Sequence, residues 1–196
     1  MRLTRLEFWA MNNPVRRCIQ KRLEFRLFQG MGLTEPGKRI LEIGCGSGYG
    51  ARLLSSIKPA SYVGIDIMPE QIERTKGIDL PNTAFAVMDA TDLTAFGDES
   101  IDCVVVFGIL HHIPAWRIVL SEIERVLAPS GKLFVEEPQK DSVRLLDRFF
   151  RWHVPEAGFS YAELEKGMID AGLEILQKRA FGFFNSYCAQ KPGSGS

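Results

Sequence analysis

Arg39-Ile40-Leu41-Glu42-Ile43-Gly44-Cys45-Gly46-Ser47-Gly48-Tyr49-Gly50 is the stretch from which the fold can be read. An apolar run stops abruptly in alternating glycines, and a helical pattern follows. That is how a buried parallel strand reads when it ends in a tight turn and feeds a helix. Glycine suits such a turn because the backbone takes positive φ and a ligand can approach where no Cβ stands in the way. The N–H groups opening the next helix then face whatever lies above the turn. Gly44, Gly46 and Gly48 are spaced G-x-G-x-G, with Tyr at position 49. The dinucleotide fingerprint is G-x-G-x-x-G, so the spacing itself points elsewhere.

A chain of 196 residues is long enough for one domain with a full core, and residues 1–192 are expected to form it. Its 45% apolar and 24% charged content is that of an ordinary soluble globular protein. Net charge is +0, which removes the global field that nucleic-acid binding would call for. No apolar run reaches membrane-spanning length, and the N-terminus lacks the pattern of a secretory signal, so a cytoplasmic protein is expected. Cys18, Cys45, Cys103 and Cys188 form no C-x-x-C pair and no metal spacing. Buried free thiols in a reducing compartment, and no metal site, are the expectation. Gly193-Ser194-Gly195-Ser196 reads as a flexible linker and carries no fold information.

Working outward from the glycine turn, residues 39–43 form the first strand and Tyr49 to Ile57 the first helix. Tyr62-Val63-Gly64-Ile65-Asp66 is a second buried strand that ends in an acid. In a parallel α/β fold that position places a carboxylate on ribose hydroxyls, whose two donors match its acceptor pair. Pro69 opens a helix to about Lys76, and Ala84 to Met88 form a third strand followed by Asp89-Ala90. Asp102 to Phe107 is the most apolar strand and is expected at the centre of the sheet. Trp116, Leu120, Ile123 and Leu127 mark one face of a helix that Pro129 and Gly131 end, before a fifth strand at Lys132–Glu137. Ser160 to Ala171 is a helix with Ser160 and Glu163 in capping-box spacing and Gly172 as its stop. Leu173–Ala180 and Phe184–Ala189 close the chain as an antiparallel hairpin. Strands alternating with helices and then a hairpin predict a doubly wound α/β sheet with one reversed edge strand.

Two segments stand outside this frame. In residues 1–30, Arg2, Arg5, Arg16, Arg17, Lys21, Arg22 and Arg26 outnumber Glu7 and Glu24, and Trp9, Phe8 and several leucines interleave them. A short helix before Asn13 and a longer one from Pro14 to about Gly30 are predicted. They read as packing helices with a solvated basic face, or as a lid over substrate that could also touch an anionic membrane surface. Residues 138–159, an insert after the fifth strand, hold Phe149, Phe150, Trp152 and His153 among several arginines. The segment after a strand emerges beside the ligand, so this insert is the second lid candidate.

Glu42-Ile43-Gly44-Cys45-Gly46-Ser47-Gly48 resembles motif I of the class I methyltransferases that use S-adenosylmethionine. Asp66, Asp89 and the terminal hairpin follow in the order of that superfamily, over residues 39–190. The resemblance implies a Rossmann-like seven-stranded sheet of order 3-2-1-4-5-7-6 with one antiparallel strand. It implies S-adenosyl-L-methionine as cofactor, held at Glu42, Gly44, Cys45, Gly46, Gly48, Asp66, Ile67, Asp89, Ala90, Phe107 and Gly108. Glu42 would orient the methionine part, Asp66 the ribose and Asp89 the adenine amino group; the bland alternative for Asp89, as for Asp92, is a helix N-cap. Gly108-Ile109-Leu110-His111-His112-Ile113 stands where enzymes that methylate adenine or glutamine amides carry an Asn/Asp-Pro-Pro-Tyr type motif. The Leu-His-His stretch resembles the small-molecule branch instead, so a small, partly apolar acceptor is expected, with nucleic acid disfavoured. His111 or His112 is the candidate general base, with loop-shaping as the bland reading for both. Trp9, Phe149, Phe150 and Trp152 are the expected acceptor walls. The competing functions are a silent S-adenosylmethionine-binding module and a nicotinamide-dependent oxidoreductase. The glycine spacing, Asp89 and the antiparallel ending disfavour the latter. The sequence sets no oligomeric state.

Overall fold

The computed structural model describes residues 23–138, 158–181 and 184–193. The expected helices before residue 23, the insert over 139–157, and with them Trp9, Cys18, Phe149, Phe150, Trp152 and His153 lie outside the described residues. The elements in order are α1 (Phe25–Gly30), β1 (Arg39–Ile43), α2 (Tyr49–Leu54), β2 (Ser61–Asp66), α3 (Pro69–Glu73), β3 (Thr83–Val87) and β4 (Ile101–Phe107). They continue as α4 (Trp116–Val126), β5 (Leu127–Pro138), α5 (Tyr161–Asp170), β6 (Glu174–Phe181) and β7 (Phe184–Gln190). The helices expected to reach Ile57 and Lys76 tighten into 3₁₀ turns at Ser55–Ile57 and Arg74–Gly77.

The seven strands form one sheet in the order β3-β2-β1-β4-β5-β7-β6. β1 pairs in parallel with β2 and β4, β2 with β3, and β4 with β5. β7 runs antiparallel to both β5 and β6. The reversed strand is therefore an interior one, and β6 is the edge. The hairpin folds β7 back into the gap between β5 and β6, which is why β7 is buried along almost its whole length while β6 is largely exposed. β4 takes the central place its composition predicts.

Strand periodicity splits the core in two. Leu41, Ile43, Ile65, Val104 and Val106 face one layer, where they pack with Val119, Leu120 and Ile123 of α4 and Leu164 and Met168 of α5. Ile40, Tyr62, Cys103, Val105, Phe107 and Phe134 face the other, under Phe25 and Phe28 of α1 and Leu53 and Leu54 of α2. Burial on both faces is what makes these strands read as unbroken apolar runs. The capping box is present: Ser160 Oγ accepts from Glu163 N–H at 3.2 Å, and Glu163 Oε2 accepts from Ser160 N–H at 2.7 Å. Cys45, Cys103 and Cys188 are buried free thiols. Among the described residues no helix is long and apolar enough to cross a membrane.

One boundary differs from expectation. β5 begins at Leu127 and absorbs Pro129 and Gly131, which the sequence places at the end of the preceding helix. Ile101 pairs with Leu127 and Cys103 with Lys132, so residues 128–131 bulge out of the ladder. Ser130 has φ 63, and the bulge is tied to the end of β7 by Ser130 N–H to Lys191 O and Lys191 N–H to Gly131 O, both 3.0 Å. A bulge is one of the few places in a sheet where proline's missing N–H costs no ladder bond.

Candidate functional site

The carboxyl ends of β1, β2, β3 and β4 open on one cleft of about 490 Å³. Its floor is the glycine turn. The N–H groups of Gly44 and Cys45 both donate to Ile65 O at 2.9 Å, which fastens the end of β1 to the end of β2. Gly44 and Gly46 have φ of 71 and 51. A Cβ at Gly44 would come within 2.8 Å of Ile109, whereas one at Gly46 would meet nothing within 4 Å. Gly44 is thus required by packing, and Gly46 leaves backbone facing open space, as a ligand-approaching turn should.

Asp66 is 8% exposed at the cleft edge. Its Oδ2 accepts from Gly46 N–H at 3.0 Å and its Oδ1 from Met68 N–H at 2.9 Å. Burial raises its pKa, and the two backbone donors oppose the rise. Each oxygen keeps a further lone pair. Asp89 lies exposed at the opposite lip. Its Oδ1 accepts from both Thr91 N–H (2.9 Å) and Thr91 Oγ (2.8 Å). Asp92 makes the same local turn with Thr94. No helix starts at either acid, so the helix N-cap reading fails for both; they are turn-forming acids. The side walls are apolar: Ile67 and Met68 after β2, Met88 after β3, and Ile109, Ile113 and Pro114 after β4.

Of the residues expected at the site, Gly44, Asp66, Ile67, Asp89, Ala90 and His112 line this cleft. Glu42, Cys45, Gly46, Gly48, Phe107, Gly108 and His111 do not. Strand alternation explains the most consequential of these. Ile43 faces the cleft side, so Glu42 points through the opposite face of β1. It is 2% exposed and accepts from Tyr62 Oη at 2.6 Å. Burial, aided by the Asp66 charge and opposed by Tyr62, pushes its pKa up to about 8. Phe107 is likewise core, stacked on Phe28 with centroids 5.2 Å apart. Burial pushes the Cys45 thiol far up, so it is no nucleophile.

The two histidines have different surroundings. They lie on a 3₁₀ turn, Leu110–His112, with ring centroids 4.0 Å apart. His112 lines the cleft, and burial, with His111 beside it, drives its pKa down to about 3. His111 Nδ1 lies 2.7 Å from Glu137 Oε2. Glu137 is fully buried at the end of β5, and its carboxylate also accepts from Leu110 N–H at 2.8 Å. A carboxylate at Nδ1 selects the tautomer that leaves Nε2 as an acceptor.

Sequence reasoning placed the stretch after β4 at the acceptor but did not name Ile109, Ile113 and Pro114 as its apolar wall, and it missed Glu137 and Gln71. For Glu137 a signal existed. In a strand buried on both faces, consecutive acids must put one carboxylate into each core layer, and a buried carboxylate needs donors. Gln71 had none, since a glutamine in a short helix after proline reads as surface.

Comparison with known proteins agrees with this geometry. The family model described as methyltransferase domain matches residues 11–178. Among curated relatives, a fatty-acid O-methyltransferase of Mycolicibacterium smegmatis is 32% identical over 149 residues, covering 75% of this chain and 48% of that protein. A phthiotriol/phenolphthiotriol dimycocerosates methyltransferase of Mycobacterium tuberculosis is 41% identical over 143 residues, covering 72% and 50%. The chain thus spans about half the length of the curated relatives it matches. Among solved structures, an S-adenosylmethionine-dependent methyltransferase from Aquifex aeolicus superposes with a TM-score of 0.78 at 18% identity, over 96% of this chain and 99% of that one.

Proposed function

The chain belongs to the methyltransferase domain family, and on that premise we propose that it uses S-adenosylmethionine to methylate an oxygen of a lipid-like, largely apolar acceptor. The observation that carries the cofactor half of this reading is the cleft itself. It brings the start of the glycine turn at Gly44, the spare lone pairs of Asp66 and the apolar walls of Ile67, Ile113 and Pro114 to one place, with Gly46 bonded to Asp66 beside them. That set fits an adenosine with its attached amino-acid arm. For the acceptor, the support is the relative named as acting on fatty acids at oxygen. The basic, aromatic stretch before residue 30 suits an acceptor met at an anionic membrane surface.

Bound S-adenosylmethionine supplies a methyl group on a positive sulfonium, which leaves to a lone pair arriving in line. The protein's part is placement and proton handling. Asp66 would accept from the ribose hydroxyls, and Ile67 and Ile113 would offer apolar surface to the base. Asp89 keeps one oxygen for the amino group. His111, held by Glu137, takes the proton from a hydroxyl acceptor at Nε2. A carboxylic acid acceptor is already ionised near neutral pH and needs no such help.

The test uses methyl-deuterated S-adenosylmethionine with long-chain fatty acids and long-chain alcohols, read by mass spectrometry. A labelled methyl ester or ether is expected. Firm S-adenosylhomocysteine binding with no labelled product from any acceptor would leave a silent binding module in its place. Tight NAD binding with no response to S-adenosylhomocysteine would remove the cofactor assignment too.

Asp66→Ala is expected to weaken S-adenosylhomocysteine binding by about 10- to 150-fold, the equivalent of one charge-assisted hydrogen bond at roughly 1.5–3 kcal/mol. Titration calorimetry on the folded variant measures it, and unchanged affinity would take Asp66 off the ribose.

A further inference from the structure

Gln71 is the polar side chain of the cleft that the fold does not use. It sits in the first turn of α3, after Pro69, and its backbone N–H donates to Met68 O at 3.0 Å. The residue is 1% exposed and lines the cleft between the end of β2 and the end of β3. Its Oε1 has no hydrogen-bond partner among the described residues. A buried carboxamide oxygen left without a donor is a standing cost to the folded state. An apolar side chain of the same length would fill the space without that cost.

The neighbouring acceptors are already partly engaged. Both oxygens of Asp66 hold a backbone N–H, and Oδ1 of Asp89 takes two donors from Thr91. An adenosine brings three donor groups into this space: two ribose hydroxyls and the amino group of the base. We propose that the Gln71 carboxamide is a cofactor-binding residue that accepts a hydrogen bond from the adenosine half of S-adenosylmethionine. The inference rests on reading the cleft as the cofactor site. It adds an adenosine contact beyond those of Asp66 and Asp89, from a position no sequence pattern marks.

The proposal makes apo stability and cofactor affinity move in opposite directions. Gln71→Met removes an unpaired polar atom from the apo protein, so its thermal midpoint stays level or rises. The same change weakens S-adenosylhomocysteine binding by about tenfold, equivalent to about 1.4 kcal/mol. A residue that merely packs would give the reverse: a lower midpoint and no specific loss of affinity.

The experiment combines thermal melts of the apo proteins with titration calorimetry of wild type, Gln71→Met and Gln71→Leu. The ligands are S-adenosylhomocysteine, its inosine counterpart and its 2′-deoxy counterpart. One analogue is expected to bind wild type more weakly, and for that analogue the Gln71→Met penalty disappears. Loss with the inosine compound places the bond on the amino group, and loss with the 2′-deoxy compound on the ribose. Equal S-adenosylhomocysteine affinity in the folded variants, or an apo midpoint several degrees lower in both, overturns the assignment. Failure of wild type to bind S-adenosylhomocysteine at all would instead remove the reading of the cleft beneath it.

Discussion

With a hydroxyl acceptor, His111→Gln lowers turnover by about 10²–10⁴-fold, the usual contribution of a positioned general base, and leaves cofactor affinity unchanged. Glutamine is the informative replacement because its amide N–H can still donate to Glu137. The carboxylate then keeps a side-chain donor beside Leu110 N–H, and the turn after β4 keeps its anchor. What is lost is the ring nitrogen that accepts a proton. His112→Gln tests the other histidine. A ring whose pKa is driven down to about 3 stays neutral across the physiological range and is a weak acceptor of protons. Its replacement therefore changes turnover far less, even though His112 rather than His111 lines the cleft. Its burial appears in stability instead. A depressed pKa means the unfolded chain binds the proton first, so this contribution is complete above the ordinary value of 6.5 and falls away as pH drops toward 3. With a carboxylic acid acceptor the His111→Gln effect shrinks, because no proton has to be removed. Equal rates for wild type and His111→Gln on a hydroxyl acceptor would leave the pair with Glu137 as a loop anchor alone.

The fold was legible because its signals are local and repeated. β1, β2, β3 and β4 each end at or within two residues of a glycine or an acid, and all but β3 lead into helical sequence, so the strand positions follow from residues 39–43, 62–66, 84–88 and 102–107. The capping box at Ser160 and Glu163 needs only its spacing. What was not legible depends on which face of a strand a residue occupies once the chain turns. Glu42 precedes the glycine turn by two residues and reads as a ligand. Alternation instead sends it into the core under Tyr62, while Ile43 takes the cleft side. Gly64 carries no sequence signal of its own. Yet a Cβ there would come within 2.8 Å of Tyr62 Oη and 2.9 Å of Cys45 Cβ, so it makes room for the hydroxyl that Glu42 needs. Glu137 and Gln71 are set by contacts 26 residues apart or by a cavity wall, neither of which a local pattern encodes. The β5 bulge was hidden for a related reason. Pro129 and Gly131 are the same residues whether a helix ends or a strand bulges, and only pairing with β4 and β7 decides.

Glu42→Gln is expected to abolish most of the stability loss that the wild-type protein shows between weakly acidic and alkaline pH. Glu42 is enclosed by β1, Tyr62 and the start of α2, where Gly50 leaves room that any side chain would take from its carboxylate. Burial is the largest influence on it and favours the neutral acid. The Asp66 charge acts the same way, and the bond from Tyr62 opposes both without cancelling them. The folded protein therefore holds this proton to about pH 8, while the unfolded chain releases it near the ordinary 4.5. A raised folded pKa gives stability that is complete below the unfolded value and declines as pH rises to the folded one. The decline is about 1.4 kcal/mol for each pH unit in that window and levels off above it. Glutamine keeps an oxygen for Tyr62 Oη and has no proton to lose, so its stability stays flat over the same window. Chemical denaturation of both proteins at pH 5, 7 and 9 makes the comparison without any ligand or acceptor. The difference between variant and wild type should grow in the variant's favour at each step. Parallel curves would mean that the Glu42 carboxyl ionises in the fold as readily as in the unfolded chain, and that the space beneath the glycine turn is wetter than the burial of Glu42 and Tyr62 implies.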